Sequence, residues 1–217
     1  MSHMLAITLM LLRPNLTEQA VADMWDVSQP QACVIKTFIE ELISMALWFI
    51  GITLSEAATT RPLIVDGTFV PTDNRKATDR ANCSGKRDCQ CLSIQVACDL
   101  QGRLIATSRP VPGSRHDDAA LNLTGWDQIL VEATWTAGSA YCATNASTPM
   151  KKPPGKELTP GQKECNKSLS HLRSGAEHAN ATLKQWKILS TGHRRRLREL
   201  PLPIALITKL ELFRQGW

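Results

Sequence analysis

Two carboxylates hold the most chemically suggestive positions in the sequence. Asp66 lies in "PLIVDGTFVP" (62–71), an apolar run bounded by prolines that reads as a buried strand. Leaving a polar group buried without a partner costs on the order of 2–7 kcal/mol, and more when it is charged. Glu177 lies in "CNKSLSHLRSGAEHANATLKQWKIL" (165–189). A carboxylate on an inner strand and another on a packed helix suit a hard cation such as Mg²⁺ or Mn²⁺. Such an ion takes oxygen ligands in an octahedron and leaves places for phosphate and water. Two of them can activate a water and stabilise the leaving oxygen of a phosphodiester.

The spacing around Glu177 predicts a helix over about 164–187. At about 100° per residue, Asn166, Ser170, Arg173, Glu177, Asn180 and Lys184 fall within an arc of roughly 80°. Leu169, Leu172, Ala176, Ala179, Leu183 and Trp186 fill the adjoining arc, which is the core face. The polar stripe therefore borders the buried face rather than opposing it. A structural reading stands beside the functional one: Arg173 and Glu177 have the spacing of an i,i+4 ion pair. Gly175 costs this helix about 1 kcal/mol relative to Ala.

Upstream of Asp66 the first 60 residues read as helical. Thr17 and Ser28 can cap two helices joined at Trp25-Asp26-Val27, with Pro30 tolerated in the first turn of the second. The pair fits a helix-turn-helix over 1–58 that offers Gln29, Gln31 and Lys36 to DNA. Downstream, "CLSIQVACDLQGRLIATSRPVPG" (91–113) reads as a hairpin turning at 99–102. Ser114 or Asp117 can cap the next helix, and "ATWTAGSAYCATN" (133–145) is strand-like. The tail "LRELPLPIALITKLELF" reads as an apolar helix interrupted by prolines, and "ISMALWFIGITL" (43–54) as a core helix passing into a loop. Strand, hairpin, helix, strand and further helices make an α/β arrangement over 59–217, three antiparallel strands leading into parallel ones.

Charge is unevenly spread. Residues 1–60 carry a net −4, residues 61–149 are balanced, and residues 150–217 carry +9. A basic region of this kind is the footprint of a polyanion partner, most often nucleic acid, with a solvated Lys/Arg face as the plain alternative. No apolar stretch reaches the roughly 18–20 residues of a membrane helix. The apolar N-terminus lacks a basic leader and a small-residue cleavage site, which speaks against export and leaves the Asn-X-Ser/Thr matches without a role. Seven cysteines argue for reduced thiols. The cluster Cys83, Cys89, Cys91 and Cys98 lacks the paired spacing of structural zinc sites.

Three segments together resemble the DDE transposases of bacterial insertion sequences: "VDGT" at the end of the first strand, "PGSRHD" (112–117), and "LRSGAEHANATLKQWKIL" (172–189) with its R-x3-E-x6-K spacing. The similarity runs over nearly the whole chain. It implies a ribonuclease-H-like mixed sheet with flanking helices, preceded by the small all-α helix-turn-helix. It also implies an Asp-Asp-Glu triad that binds two Mg²⁺ or Mn²⁺ ions, then cuts DNA at transposon terminal repeats and joins the strands. By this resemblance Asp66 is the first acid and Glu177 the last. Arg173 and Lys184 are the flanking basic residues that contact DNA, while His116 and Asp117 form a supporting turn. A bacterial cytoplasmic protein, associated with the nucleoid when bound to DNA and able to form a homo-oligomer there, is implied as well.

The middle acid departs from the pattern. The family form is Asp-X-Gly/Ala-Tyr, whereas "TAGSAY" puts Gly138 where the Asp would stand and keeps Tyr141. Two anions in place of three should weaken at least one metal site. The chain also looks short before the first strand, and a degraded insertion-sequence copy fits both departures. The expected protein is thus a transposase-family endonuclease and strand transferase impaired in catalysis. The alternative is a non-catalytic DNA-binding protein derived from one.

Overall fold

A computed structural model describes residues 1–72, 80–85, 88–155 and 157–217. The elements in chain order are α1 (Ser2–Leu12), α2 (Glu18–Trp25), α3 (Gln29–Ala46), α4 (Leu54–Thr60), β1 (Leu63–Pro71), β2 (Cys83–Ser84) and β3 (Cys89–Cys98). They continue with β4 (Leu104–Thr107), β5 (Val111–Pro112), α5 (Asp117–Thr124), α6 (Trp126–Ile129), β6 (Trp135–Ala137), α7 (Pro160–Lys184) and α8 (Pro201–Arg214). The chain is a mixed α/β protein. None of its described helices is long and apolar enough to cross a membrane.

Contacts divide the chain into two compact units. One comprises Met1–Gly51, Val70–Asp73 and Thr182–Trp217, the other Ile52–Phe69 and Asn74–Ala181. In the first, Ile7 and Leu11 of α1 and Val21 of α2 form a core on which Met10, Leu16, Trp25 and Ile35 pack. Both expected caps are present. The Thr17 side chain accepts from Ala20 N, and Ser28 and Gln31 form a reciprocal capping box with Pro30 in the first turn. Asp26 takes the left-handed φ of 51° that turns α2 into α3.

Three expectations in this unit change. Lys36 is 4% exposed and ion-paired with Glu40, because Ala32, Lys36 and Ile39 share the inner face of α3; it is not presented to DNA. The segment 43–54 is no core helix, since α3 ends at Ala46 and Trp48 and Phe49 are 76% and 65% exposed. The last helix is not interrupted: Pro201 and Pro203 both fall in the first turn of α8, where a missing N–H costs nothing. Inside this unit Trp186 Nε1 donates to the buried Glu211 at 2.6 Å, and Arg214 completes the pair.

The second unit carries the sheet, ordered β2-β3-β1-β6, with β4 and β5 also on β3. β1 and β6 are parallel (Leu63 opposite Trp135, Val65 opposite Ala137), and β2, β4 and β5 are antiparallel to β3. Leu63, Ile64 and Val65 are fully buried, as are Val96 and Ala97. The expected hairpin turn is present. Asp99 Oδ1 accepts from the backbone N–H of Gln101 and Arg103, and Gly102 takes φ +77°. The strand expected over 133–145 is shorter than its composition suggests: β6 spans three residues, then Gly138 leads into a 3₁₀ turn ending at Tyr141. α7 starts four residues earlier than its periodicity indicates, because Thr159 and Gln162 cap each other across Pro160-Gly161.

Helix α7 seats on the sheet through glycine. A Cβ at Gly175 would stand 3.2 Å from the Gly102 Cα and 3.2 Å from Ile64 Cδ1. This close approach explains a residue that weakens the helix by about 1 kcal/mol in isolation. Gly175→Ala is expected to lower stability despite its better helix propensity, because overpacking against backbone costs about 1–3 kcal/mol. A fall in the urea midpoint at unchanged slope checks this; a rise would show that Gly102 yields.

Candidate active site

Asp66 occupies the middle of β1, half-buried, with its carboxylate toward α7 and α5. Asn180 Nδ2 of α7 donates to Asp66 Oδ2 at 3.0 Å. The Gly67 N–H supplies a further hydrogen bond, and Arg173 of α7 lies within Coulombic reach. Asp117 of α5 is a neighbour too, and it opposes the Asp66 charge. Desolvation is the largest influence, so the carboxyl is held above its ordinary value of 3.8 despite Arg173 and the two donors.

The approach of Asp117 depends on the residue after Asp66. A Cβ at Gly67 would come within 2.4 Å of Asp117 Oδ1 and 3.2 Å of the Tyr141 hydroxyl. No side chain other than hydrogen fits there without displacing Asp117. Tyr141 itself is fully buried, stacked edge-on to Trp135 with centroids 6.0 Å apart, and its hydroxyl donates to Gln95 Oε1. Burial, reinforced by Asp117 and Asp66, pushes the phenol up and keeps it a neutral donor. Burial likewise holds the Cys98 thiol at about 12, reinforced by Asp99 and Asp66.

Gly138 stands directly after β6, and a Cβ built there would lie 3.0 Å from Arg173 Nη2 and 3.3 Å from its Cζ. The guanidinium thus lies over the Gly138 backbone. Arg173 forms no ion pair with Glu177 among the described residues, although the i,i+4 spacing allows one. Glu177 is exposed on the helical face between Arg173 and Asn180. Lys184 ends α7, and its ammonium donates to the Leu189 carbonyl.

His116 precedes α5 as its N-cap residue without a side-chain cap bond, and Asp117 and Asp118 open that helix, where carboxylates meet the positive end of the helix dipole. These residues line a cleft of about 550 Å³, together with Arg115, Cys142 and Lys151. In the other unit Gln29 and Gln31 are exposed in the first turn of α3, but the Gln31 amide oxygen is engaged by Ser28 N.

Asp66 and Asp117 are neighbouring hard oxygen donors of the kind a divalent ion prefers. Among the described residues, however, no three His, Cys, Asp or Glu side chains converge as metal ligands. With glycine at 138 and a guanidinium over it, this donor set does not fit a pair of divalent ions. The polar stripe already contained Asn180, without a role, and Asp117 was expected as a cap or turn residue; the N-cap is instead His116, and Asp117 sits one position inside the helix beside Asp66. The glycine immediately after Asp66 is the signal that a second group approaches closely there.

Residues 65–210 match the family described as DDE superfamily endonuclease. Over 179 residues the chain is 30% identical to the putative transposase for insertion sequence element IS112 of Streptomyces albus G, a match covering 82% of this chain and 66% of that protein. It is also 30% identical, over 149 residues, to the probable transposase for insertion sequence element IS702 of Microchaete diplosiphon, covering 67% of this chain and 54% of that protein. The chain therefore spans between about half and two thirds of these relatives. No solved structure matches it.

The raised Asp66 carboxyl has a pH signature. The folded chain holds this proton more tightly than the unfolded chain, so the contribution to stability is full below pH 3.8 and is lost as the pH rises through the elevated folded value. Asp66→Asn is neutral throughout and is expected to be more stable than the wild type at neutral pH. The difference should close once the pH falls below about 4. Urea unfolding at both pH values checks this; a variant less stable than the wild type at neutral pH refutes it.

Proposed function

The chain belongs to the DDE superfamily endonucleases, and from that footing we propose that it is a transposase core that binds DNA but is impaired in cutting it. Its sheet, with β1 central and Asp66 on it, suits the ribonuclease-H-like arrangement of such a core. Endonucleases of this superfamily use divalent metals to hydrolyse and join phosphodiesters. Here Asp66 on β1 and Asp117 on α5 are neighbouring carboxylates, and Glu177 is an exposed acid of α7.

The observation that carries the reading is Gly138. The position that would supply the middle acid offers no carboxylate and is covered by the Arg173 guanidinium. The same observation favours the non-catalytic alternative, in which the chain retains DNA binding and loses strand transfer. For the DNA contacts, Arg115, His116 and Lys151 on the cleft supply cations beside Asp117. Arg173 and Lys184 extend along α7, and the basic last third of the chain adds long-range attraction for the phosphate backbone. Helices α2 and α3 are read as a helix-turn-helix presenting Gln29, and transposon terminal repeats are the target class.

Two measurements test this. The purified chain should bind a mixed-sequence duplex with affinity falling steeply with salt, and Arg115→Ala and Lys151→Ala should each reduce the slope of log K against log[salt] by about one. With Mg²⁺ or Mn²⁺ and a duplex carrying matching terminal inverted repeats, the wild type should give no strand cleavage above background. Robust cutting overturns the impairment, and salt-insensitive or absent binding overturns the DNA reading.

A further inference from the structure

We propose that Arg173 is the built-in cation of this site: its guanidinium fills the room that Gly138 leaves and balances Asp66 where a bound metal ion would otherwise do so. Three observations converge. The side chain lies over the Gly138 Cα so closely that a Cβ there would stand 3.0 Å from Nη2, 3.3 Å from Cζ and 3.7 Å from Nε. It takes this course although Glu177, one turn further along α7, is exposed and at ion-pairing distance in sequence. Its charge reaches Asp66, whose hydrogen-bond donors among the described residues, Asn180 and the Gly67 N–H, are neutral. Among the described residues, Arg173 is thus the cation whose charge reaches Asp66, with Asp117 the neighbouring carboxylate.

The consequence concerns repair. A carboxylate placed at 138 would not meet an open metal position. It would project into the guanidinium, which binds carboxylates through paired N–H···O bonds. Restoring the acid alone therefore gives an ion pair between the new carboxylate and Arg173 in place of a metal ligand. A competent cation site needs Arg173 removed as well. We rest this on the impaired-endonuclease reading for one thing only, the expectation of an acid at 138.

The test uses the full chain with Mn²⁺ alone and no DNA, so that it fails separately from the cleavage assay. Bound Mn²⁺ is read by its electron paramagnetic resonance signal, and folding by the thermal midpoint with and without the metal. Wild type and Gly138→Asp should bind Mn²⁺ equally weakly, with no shift in midpoint. Gly138→Asp combined with Arg173→Gln should bind it at least tenfold more tightly, with a raised midpoint. Arg173→Lys in the Gly138→Asp background keeps a cation in place and should stay insensitive to the metal. Should the double variant fail to fold, Gly138→Asp decides alone: a metal-free midpoint above the wild type supports the ion pair. Mn²⁺ uptake by Gly138→Asp with Arg173 intact overturns the proposal. So does a metal-free midpoint no higher than the wild type when that variant alone is available, or a folded double variant that ignores Mn²⁺.

Discussion

The arrangement of the second unit follows from one constraint, a carboxylate that must stay in place on a strand whose preceding residues are completely buried. Leu63, Ile64 and Val65 anchor β1 in the core, so Asp66 cannot leave the interior without tearing the strand out. Its charge has to be met where it stands. Asn180, the Gly67 N–H and the Arg173 field meet it in part, while desolvation and Asp117 work against them. The balance leaves the carboxyl easier to protonate than in water. A structural protein would gain by replacing such a group.

Close approach makes this cluster possible, and glycine makes the approach possible. Gly175 brings α7 down onto Gly102 and Ile64, which carries Arg173 and Asn180 to the sheet. Gly67 clears the space through which Asp117 reaches the edge of β1. Gly138 clears a third space, and there the vacancy is taken by a side chain from the opposing helix. The first two glycines serve packing around Asp66; the third makes room for the Arg173 guanidinium. What fills the gap differs: backbone and a carboxylate in two cases, a guanidinium in the third.

Much of this was legible in the sequence, for identifiable reasons. The strand around Asp66, the turn at 99–102, the caps at Thr17 and Ser28 and the polar stripe of α7 all rest on short-range patterns that one chain displays fully. Family membership was legible as well, from three spaced segments. Positions set by long-range packing were not. Lys36 turned inward with Glu40 because α3 shows its inner face to α1 and α2, which no local pattern records. Trp48 and Phe49 looked like core and are exposed, because α3 stops at Ala46. Arg173 could be placed on the correct face, but its choice of Gly138 over Glu177 depends on where β6 ends. Asn180 was in plain view on the stripe and gained its meaning only once its amide was seen on Asp66.

Arg173 in the cation position beside Asp66 can be seen or refuted in a crystal structure of the wild-type chain grown in excess Mn²⁺, with anomalous scattering measured at the manganese edge. With Arg173 in that position, no anomalous peak stands beside Asp66 and Asp117, and the guanidinium lies over the Gly138 Cα. A strong peak between those carboxylates, with Arg173 swung away from Gly138, would contradict it.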